Sequence, residues 1–220
     1  MPRSHPTCVL ISGGLDSAVL LHRILAASDA SVWPVYLRFG LRWEAVELRW
    51  LMRVLRAMAS PRLRPLQIID MPLRAAYGSH WGMTGRGIPG PRSADRAVYL
   101  PGRNLLLISH AAVACAQRKI ARIALGTLRG NPFGDATPQF FSRLARCLRM
   151  ALRSPMEIST PLRRFTKAQL IRSAPAVPFE LTFSCLRPQG DSHCGRCNKC
   201  AERQRAFRMA GVDDPTRYAP

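Results

Sequence analysis

The sequence predicts an α/β protein: an open parallel sheet of about five strands with helices on both faces, followed by a small cysteine-bearing helical module. Three observations carry that prediction. Short apolar segments of strand composition alternate with amphipathic helical stretches along residues 1–180. A glycine-rich turn separates the first such strand from the first helix, and four of the seven cysteines fall between residues 185 and 200. A length of 220 residues, 47% of them apolar, suits one α/β domain over 1–180 with a small appendage over 181–220.

Cys8-Val9-Leu10-Ile11 is the first strand. Ala18 to Leu21 with Ile24 and Leu25 reads as a largely buried helix. Val32 to Leu37 is the second strand, and residues 43–58 form a helix with Val46, Trp50, Leu51, Val54, Leu55 and Met58 on one face. Leu66 to Ile69 is the third strand. The periodicity then lapses over 72–102, where seven glycines and prolines crowd between residues 78 and 91 of a stretch too polar for core. A loop of that length reads as a mobile flap beside a site or as a disordered insert. A helix runs through Leu105, Leu106, Ile108, Ala112 and Val113, and Ile120 to Leu125 is the fourth strand. Thr137-Pro138 supplies an N-cap and first-turn proline for a helix with Phe140, Phe141, Leu144, Leu148 and Leu152 at core spacing. Met156 to Ile158 is a short fifth strand, and Thr166-Lys167-Ala168-Gln169 opens another helix with a capping box.

The turn after the first strand is Ser12-Gly13-Gly14-Leu15-Asp16-Ser17. Strand, glycine turn and helix aim backbone N–H groups and a positive helix end at an anion. Ser12 and Ser17 add hydroxyl donors, and Asp16 can hold a magnesium ion or fix the loop. The spacing is neither that of a Walker loop nor that of a dinucleotide fingerprint. It resembles the pyrophosphate-binding loop of the PP-loop ATP pyrophosphatases. That resemblance implies ATP bound along Ile11, Ser12, Gly13, Gly14, Leu15, Asp16, Ser17 and Ala18, with Mg2+, in an adenine-nucleotide alpha hydrolase-like fold.

Cys185, Cys194, Cys197 and Cys200 form a C-x8-C-x2-C-x2-C array. Four thiolates close a tetrahedral site with no open position, which makes structural Zn2+ the expected occupant. An iron–sulfur cluster uses the same ligands and is an open alternative. Disulfides are disfavoured because nothing points to an oxidising compartment. Arg196 and Lys199 are expected to offset the thiolate charge, and His193 to stand by. Cys8, Cys115 and Cys147, single within apolar patterns, are expected to be buried.

Thirty-three basic residues face 13 acidic ones for a net charge of +20, and only three of the basic residues, at 119, 167 and 199, are lysines. Such a surface attracts polyanions, so nucleic acid is admitted as a partner without being required. The arginines are dispersed, which suits a compositional bias equally well. No run approaches the ~18 apolar residues of a membrane span, and residues 1–7 carry no signal-type segment. A cytoplasmic enzyme is the expectation, with a homodimer left open.

Four patches together resemble the 7-cyano-7-deazaguanine synthases of queuosine and archaeosine precursor biosynthesis. They are the Ser12–Ser17 loop, Leu100-Pro101-Gly102-Arg103-Asn104, Thr160-Pro161-Leu162 with Thr166-Lys167, and the tail from Ser184-Cys185 through Cys200 to Arg203, Phe207 and Gly211. Phe39-Gly40-Leu41-Arg42-Trp43 stands where the family carries Tyr-Gly-Gln-Arg-His, keeping Gly40 and Arg42. Of a Tyr-Pro-Asp-Cys-Arg-Pro segment, only the Asp135, Pro138 and Phe140 neighbourhood remains. The resemblance implies an ATP-dependent C–N ligase forming AMP and pyrophosphate. The carboxylate of 7-carboxy-7-deazaguanine becomes an acyl adenylate, ammonia gives the amide, and a second activation gives the nitrile. It further implies Lys167 and Arg103 as catalytic cations, and Gly40, Arg42, Asn104 and Asp135 on the 7-deazaguanine substrate. No glutaminase fits in the length, so ammonia comes from solution or another subunit. Two other readings remain: the same chemistry on another carboxylate or a tRNA base, and a non-catalytic zinc-bearing module that binds nucleic acid.

Overall fold

The computed structural model describes residues 5–27 and 29–220; residues 1–4, part of the stretch read for a signal segment, and residue 28 lie outside the described residues. Five parallel strands form one sheet in the order β3-β2-β1-β4-β5. They are β1 (Thr7–Leu10), β2 (Val32–Arg38), β3 (Gln67–Asp70), β4 (Arg122–Ala124) and β5 (Glu157–Ser159). β1 pairs on one side with β2, Thr7 opposite Val32, and on the other with β4, Thr7 opposite Arg122. The chain thus winds outward from β1 to β3, then returns to add β4 and β5 on the other side. That reversal leaves a crevice beyond the carboxyl ends of β1 and β4, where ligands of doubly wound sheets bind.

Alternation along β1 decides which helices cover which face. Cys8 and Leu10 join Val35, Leu37, Ile123 and Leu125 in one cluster, under α5 (Arg103–Gln117) and α6 (Pro138–Leu152). Val9 and Ile11 join Tyr36 and Ala124 in the other, under α1 (Leu15–Ala27), α2 (Glu44–Ala57), α7 (Lys167–Arg172) and α8 (Asn198–Ala210). Inward residues on both faces explain why these strands read as unbroken apolar runs. The sequence-based boundaries hold to within a few residues, and both capping predictions are met. Thr137 Oγ1 accepts from the Phe140 N–H at 3.1 Å, and the Thr166–Gln169 capping box is complete.

Two expectations are corrected. The stretch 72–102 is not too polar for core: Leu73, Met83, Val98 and Leu100 are buried in the same cluster as α5. It folds into α3 (Arg74–Tyr77), α4 (Trp81–Thr84) and a 3-10 turn over Asp95–Val98. Trp81 stacks on Trp43 with ring centroids 5.6 Å apart. Scattered apolar residues find partners here without periodicity, which a repeat-based reading cannot register. Cys147, expected inside, is exposed on α6, whereas Cys8 and Cys115 are buried. No helix among the described residues is long and apolar enough to cross a membrane.

Candidate active site and metal centre

The loop after β1 is held by its own hydroxyls. Ser17 Oγ donates to the Gly14 carbonyl at 2.9 Å and accepts from the Ser12 N–H at 3.3 Å. Gly13 has φ +74°, and a Cβ there would stand 3.0 Å from Leu51 Cα and Cβ, so α2 packs directly against the loop backbone. Gly126, after β4, is needed for the same kind of approach: a Cβ would meet the Asp16 carbonyl oxygen at 3.2 Å. The two strands at the winding reversal therefore close on the loop from either side.

Two hollows of about 200 and 250 Å3 open beyond these strand ends and share Ser12, Asp16, Ser17, Glu47, Arg103 and Asn104 as walls. Ile11 lines the first and Gly14 and Leu15 the second, whereas Ala18 is fully buried in the core. Lys167, at the start of α7, reaches into the second hollow and lies 3.3 Å from Asp16 Oδ2 and 2.5 Å from Glu202 Oε1. Burial alone would lower the Lys167 ammonium, but the two carboxylates reverse that and raise it above its ordinary value. Burial raises the Asp16 carboxyl against the pull of Lys167. For Glu202, Lys167 and Lys199 outweigh burial and bring it to about 2. Asp16 Oδ1 is buried without a hydrogen-bond partner among the described residues. A carboxylate oxygen so placed fits a hard divalent cation such as Mg2+, which takes one or two carboxylates and completes its shell with phosphate and water.

Arg103 and Asn104 occupy the first turn of α5, which begins two residues earlier than its apolar pattern suggests. Arg103 lines both hollows, and its Nε is buried without a partner among the described residues. Asn104 donates its backbone N–H to Asp135 Oδ2 at 2.8 Å and its amide to the Asp135 carbonyl at 3.1 Å. Asp135 thus caps α5 from 31 residues away, while both residues still line the second hollow. Gly40 and Arg42 do not line either hollow. The Gly40 N–H donates to Glu44 Oε2 at 2.7 Å, and Arg42 is exposed with its stem against Gly85.

Three groups in the crevice went unread in the sequence: Tyr36, Glu44 and Glu47. Glu44 accepts from the Phe39 and Gly40 N–H groups, both at 2.7 Å, and Glu47 accepts from Tyr36 Oη at 2.7 Å. Burial pushes Glu47 up to about 7, partly offset by Arg103 and the Tyr36 hydroxyl. The unfolded chain releases that proton near 4.5, so Glu47's contribution to stability is full below 4.5 and lost as pH rises through about 7. Glu47→Gln keeps an acceptor for Tyr36 and removes the titration. Between about pH 5 and 8, the urea midpoint of the unchanged protein should therefore fall relative to that of E47Q. A gap between the two that is constant with pH would refute this.

The candidate metal centre is built from the segment after β5 and α7. The four Sγ atoms of Cys185, Cys194, Cys197 and Cys200 lie within 4.8 Å of one another, all buried. One tetrahedral zinc ion with Zn–S of about 2.3 Å spaces its sulfurs ~3.8 Å apart, so the array fits a single ion. Backbone N–H groups of Arg187 and Cys194 point at Cys185 Sγ, both at 3.3 Å, and that of Leu186 at Cys197 Sγ at 3.4 Å. With a metal bound, these donors rather than the expected side chains would offset thiolate charge. Arg196 turns to the Pro220 carbonyl and Lys199 to Glu202 Oε2 at 2.6 Å. His193 is indeed a bystander: burial lowers it to about 4, and its Nε2 accepts from the Ser184 N–H at 3.1 Å. The same segment is tied to the loop, since the Phe183 N–H donates to the Gly13 carbonyl at 2.9 Å. Arg203, 2% exposed, locks α8 down by donating to Thr182 Oγ1 at 2.8 Å and to the Phe179 carbonyl at 2.7 Å.

Residues 7–211 match the family model described as "Queuosine biosynthesis protein QueC". A 7-cyano-7-deazaguanine synthase of Anaeromyxobacter dehalogenans is 32% identical, the alignment covering 96% of this chain and 94% of that one. Those of Methanothermobacter thermautotrophicus and Brucella ovis are 28% and 31% identical, covering 95% and 96% of this chain and 97% and 93% of theirs.

Proposed function

The chain belongs to the Queuosine biosynthesis protein QueC family, and on that premise we propose that it converts the carboxylate of 7-carboxy-7-deazaguanine to the nitrile of 7-cyano-7-deazaguanine at the expense of ATP. One observation carries the ATP half of this reading. The Ser12–Ser17 loop and Lys167 meet at the winding reversal of the sheet, with Lys167 Nζ 3.3 Å from Asp16 Oδ2.

In this reading the loop N–H groups and the Ser12 and Ser17 hydroxyls cradle the pyrophosphate half of ATP. The substrate carboxylate attacks the α-phosphorus, and pyrophosphate leaves to give an acyl adenylate. Lys167 holds positive charge beside the oxygens on which negative charge develops, and Arg103 faces the same space from α5. A magnesium ion held by Asp16 would neutralise phosphate charge when bound. Ammonia then attacks the acyl carbon and AMP leaves, giving the amide. A second activation at the amide oxygen, followed by loss of AMP and a proton, gives the nitrile. Asn104 and Asp135 shape the acceptor side of the hollow.

A second reading keeps the adenylation and changes the acceptor. It is favoured by Gly40 and Arg42, the family-like residues after β2, lining neither hollow, and by Trp43, an apolar residue, standing on the wall of the second. One experiment separates the readings. The zinc-loaded protein is incubated with ATP, magnesium, ammonium and 7-carboxy-7-deazaguanine, and AMP and base products are followed by mass spectrometry. AMP with nitrile is the expected result. AMP formed only with another acceptor would move the substrate assignment, and no AMP with any acceptor would leave the non-catalytic module.

A further inference from the structure

Two of the chain's three lysines meet at the glycine loop, and the second of them comes from the metal-binding segment. Resting on the nucleotide reading above, we propose that Lys199 is a phosphate-binding residue of this site, engaging the outer phosphates of ATP together with Lys167.

Lys199 stands between Cys197 and Cys200, in the first turn of α8. Its ammonium donates to Glu202 Oε2 at 2.6 Å, and the other oxygen of that carboxylate accepts from Lys167 Nζ at 2.5 Å. Both lysines line the hollow that holds Ser12, Gly14 and Asp16. Both also line a further hollow of about 320 Å3 that continues past them to Arg129 and Arg205. One carboxylate therefore spans two ammonium groups on the wall where the loop's anion would lie.

Charge explains what the arrangement is suited to. Lys167 and Lys199 face Asp16 and Glu202, two positive charges against two negative. A divalent cation taken by the unpartnered Asp16 Oδ1 would leave Glu202 to balance both ammonium groups. The surplus positive charge then faces the phosphates, and either lysine can turn to them while the other keeps the Glu202 contact. Residue choice points the same way. Thirty-three basic residues include only three lysines, yet two of those occupy this wall. A flexible stem ending in a compact ammonium suits a group that exchanges one oxygen partner for another, whereas the planar arginine fork does not.

The rival is a plain i,i+3 helix pair between Lys199 and Glu202, with no ligand role. Equilibrium titration of the zinc-loaded full chain with magnesium–ATP, magnesium–pyrophosphate and AMP separates the two. Lys199→Met should weaken ATP and pyrophosphate about ten-fold, the loss of one charge-assisted contact, and leave AMP within about two-fold. Lys199→Arg should recover part of that loss, with zinc content unchanged in both variants. ATP and pyrophosphate affinities unchanged in K199M would overturn the proposal and leave the nucleotide reading standing. An equal loss for AMP would overturn it too, because the residue would then act through the fold. An unmodified protein that binds neither ATP nor pyrophosphate would sink both readings together.

Discussion

Lys167→Met should lower AMP formation by about a hundred- to a thousand-fold while zinc content stays unchanged. A preorganised charge aimed at developing negative charge in a site poor in water is worth about that much when removed. Methionine keeps much of the side-chain length and takes away only the ammonium. The same substitution should also destabilise the fold. Lys167 is sandwiched between Asp16 and Glu202, and all three side chains are 20–29% exposed. Breaking a buried pair by removing one partner costs about 3–5 kcal/mol. Here partial exposure and the remaining Lys199–Glu202 contact reduce it to about 1–2 kcal/mol. That cost should shrink as the pH is lowered. Asp16 is raised by burial with Lys167 opposing, so without the lysine it takes up a proton more readily. AMP formation read beside urea midpoints at two pH values tests both halves. Activity in K167M within ten-fold of the unchanged protein would remove Lys167 from the chemistry, whatever the stability data show.

What could be read in the sequence follows from how local the determining physics is. The Ser12–Ser17 loop, the Thr166–Gln169 capping box and the four cysteines each declare themselves within a few residues, and each is found where it was expected. Glu47 and Glu202 do not declare themselves. A glutamate on an amphipathic helix is ordinarily solvated, and only the packing of α2 against the loop and of α8 against α7 turns these two inward. Asp135 shows the same limit from another side. Its family-like position suggests substrate contact and it does line the second hollow, but nothing in the sequence signals that its carboxylate also closes the N-terminus of α5, a helix that begins 32 residues before it. Cys197 and Cys200 flank Lys199 in sequence, which suggests a counter-charge for sulfur. On α8 it points to Glu202 instead, and the thiolates are served by backbone N–H groups that no sequence pattern reveals.

Stripping the metal, or replacing Cys197 with serine, should unfold the 181–220 segment and disable the proposed nucleotide site with it. Structural zinc contributes about 10–16 kcal/mol in apparent terms to small modules, far more than the few apolar side chains between Cys185 and Cys200 can replace. Without the ion, four buried sulfurs within 4.8 Å of one another lose their common partner. The loss would not stay local, for this segment is bonded both to the crevice and to the stretch before α5. The Phe183 N–H donates to the Gly13 carbonyl and Glu202 accepts from Lys167, while the Asn198 N–H donates to the Pro89 carbonyl at 2.9 Å. A chelated sample should therefore be cut by protease after residue 180, melt at a clearly lower temperature and lose ATP affinity in parallel. Thiolate ligation further requires that zinc be released as the pH falls, protons competing for the same sulfurs. His193→Ala is the matched control. It removes a buried ring beside Trp50, Phe183 and Tyr218 and lowers stability, but it leaves all four sulfurs in place. That variant should bind one zinc per chain, whereas C197S should not. If C197S kept its zinc and melted with the unchanged protein, the four-cysteine centre would lose its structural role, and with it the reason that α8 stands beside Asp16 and Lys167.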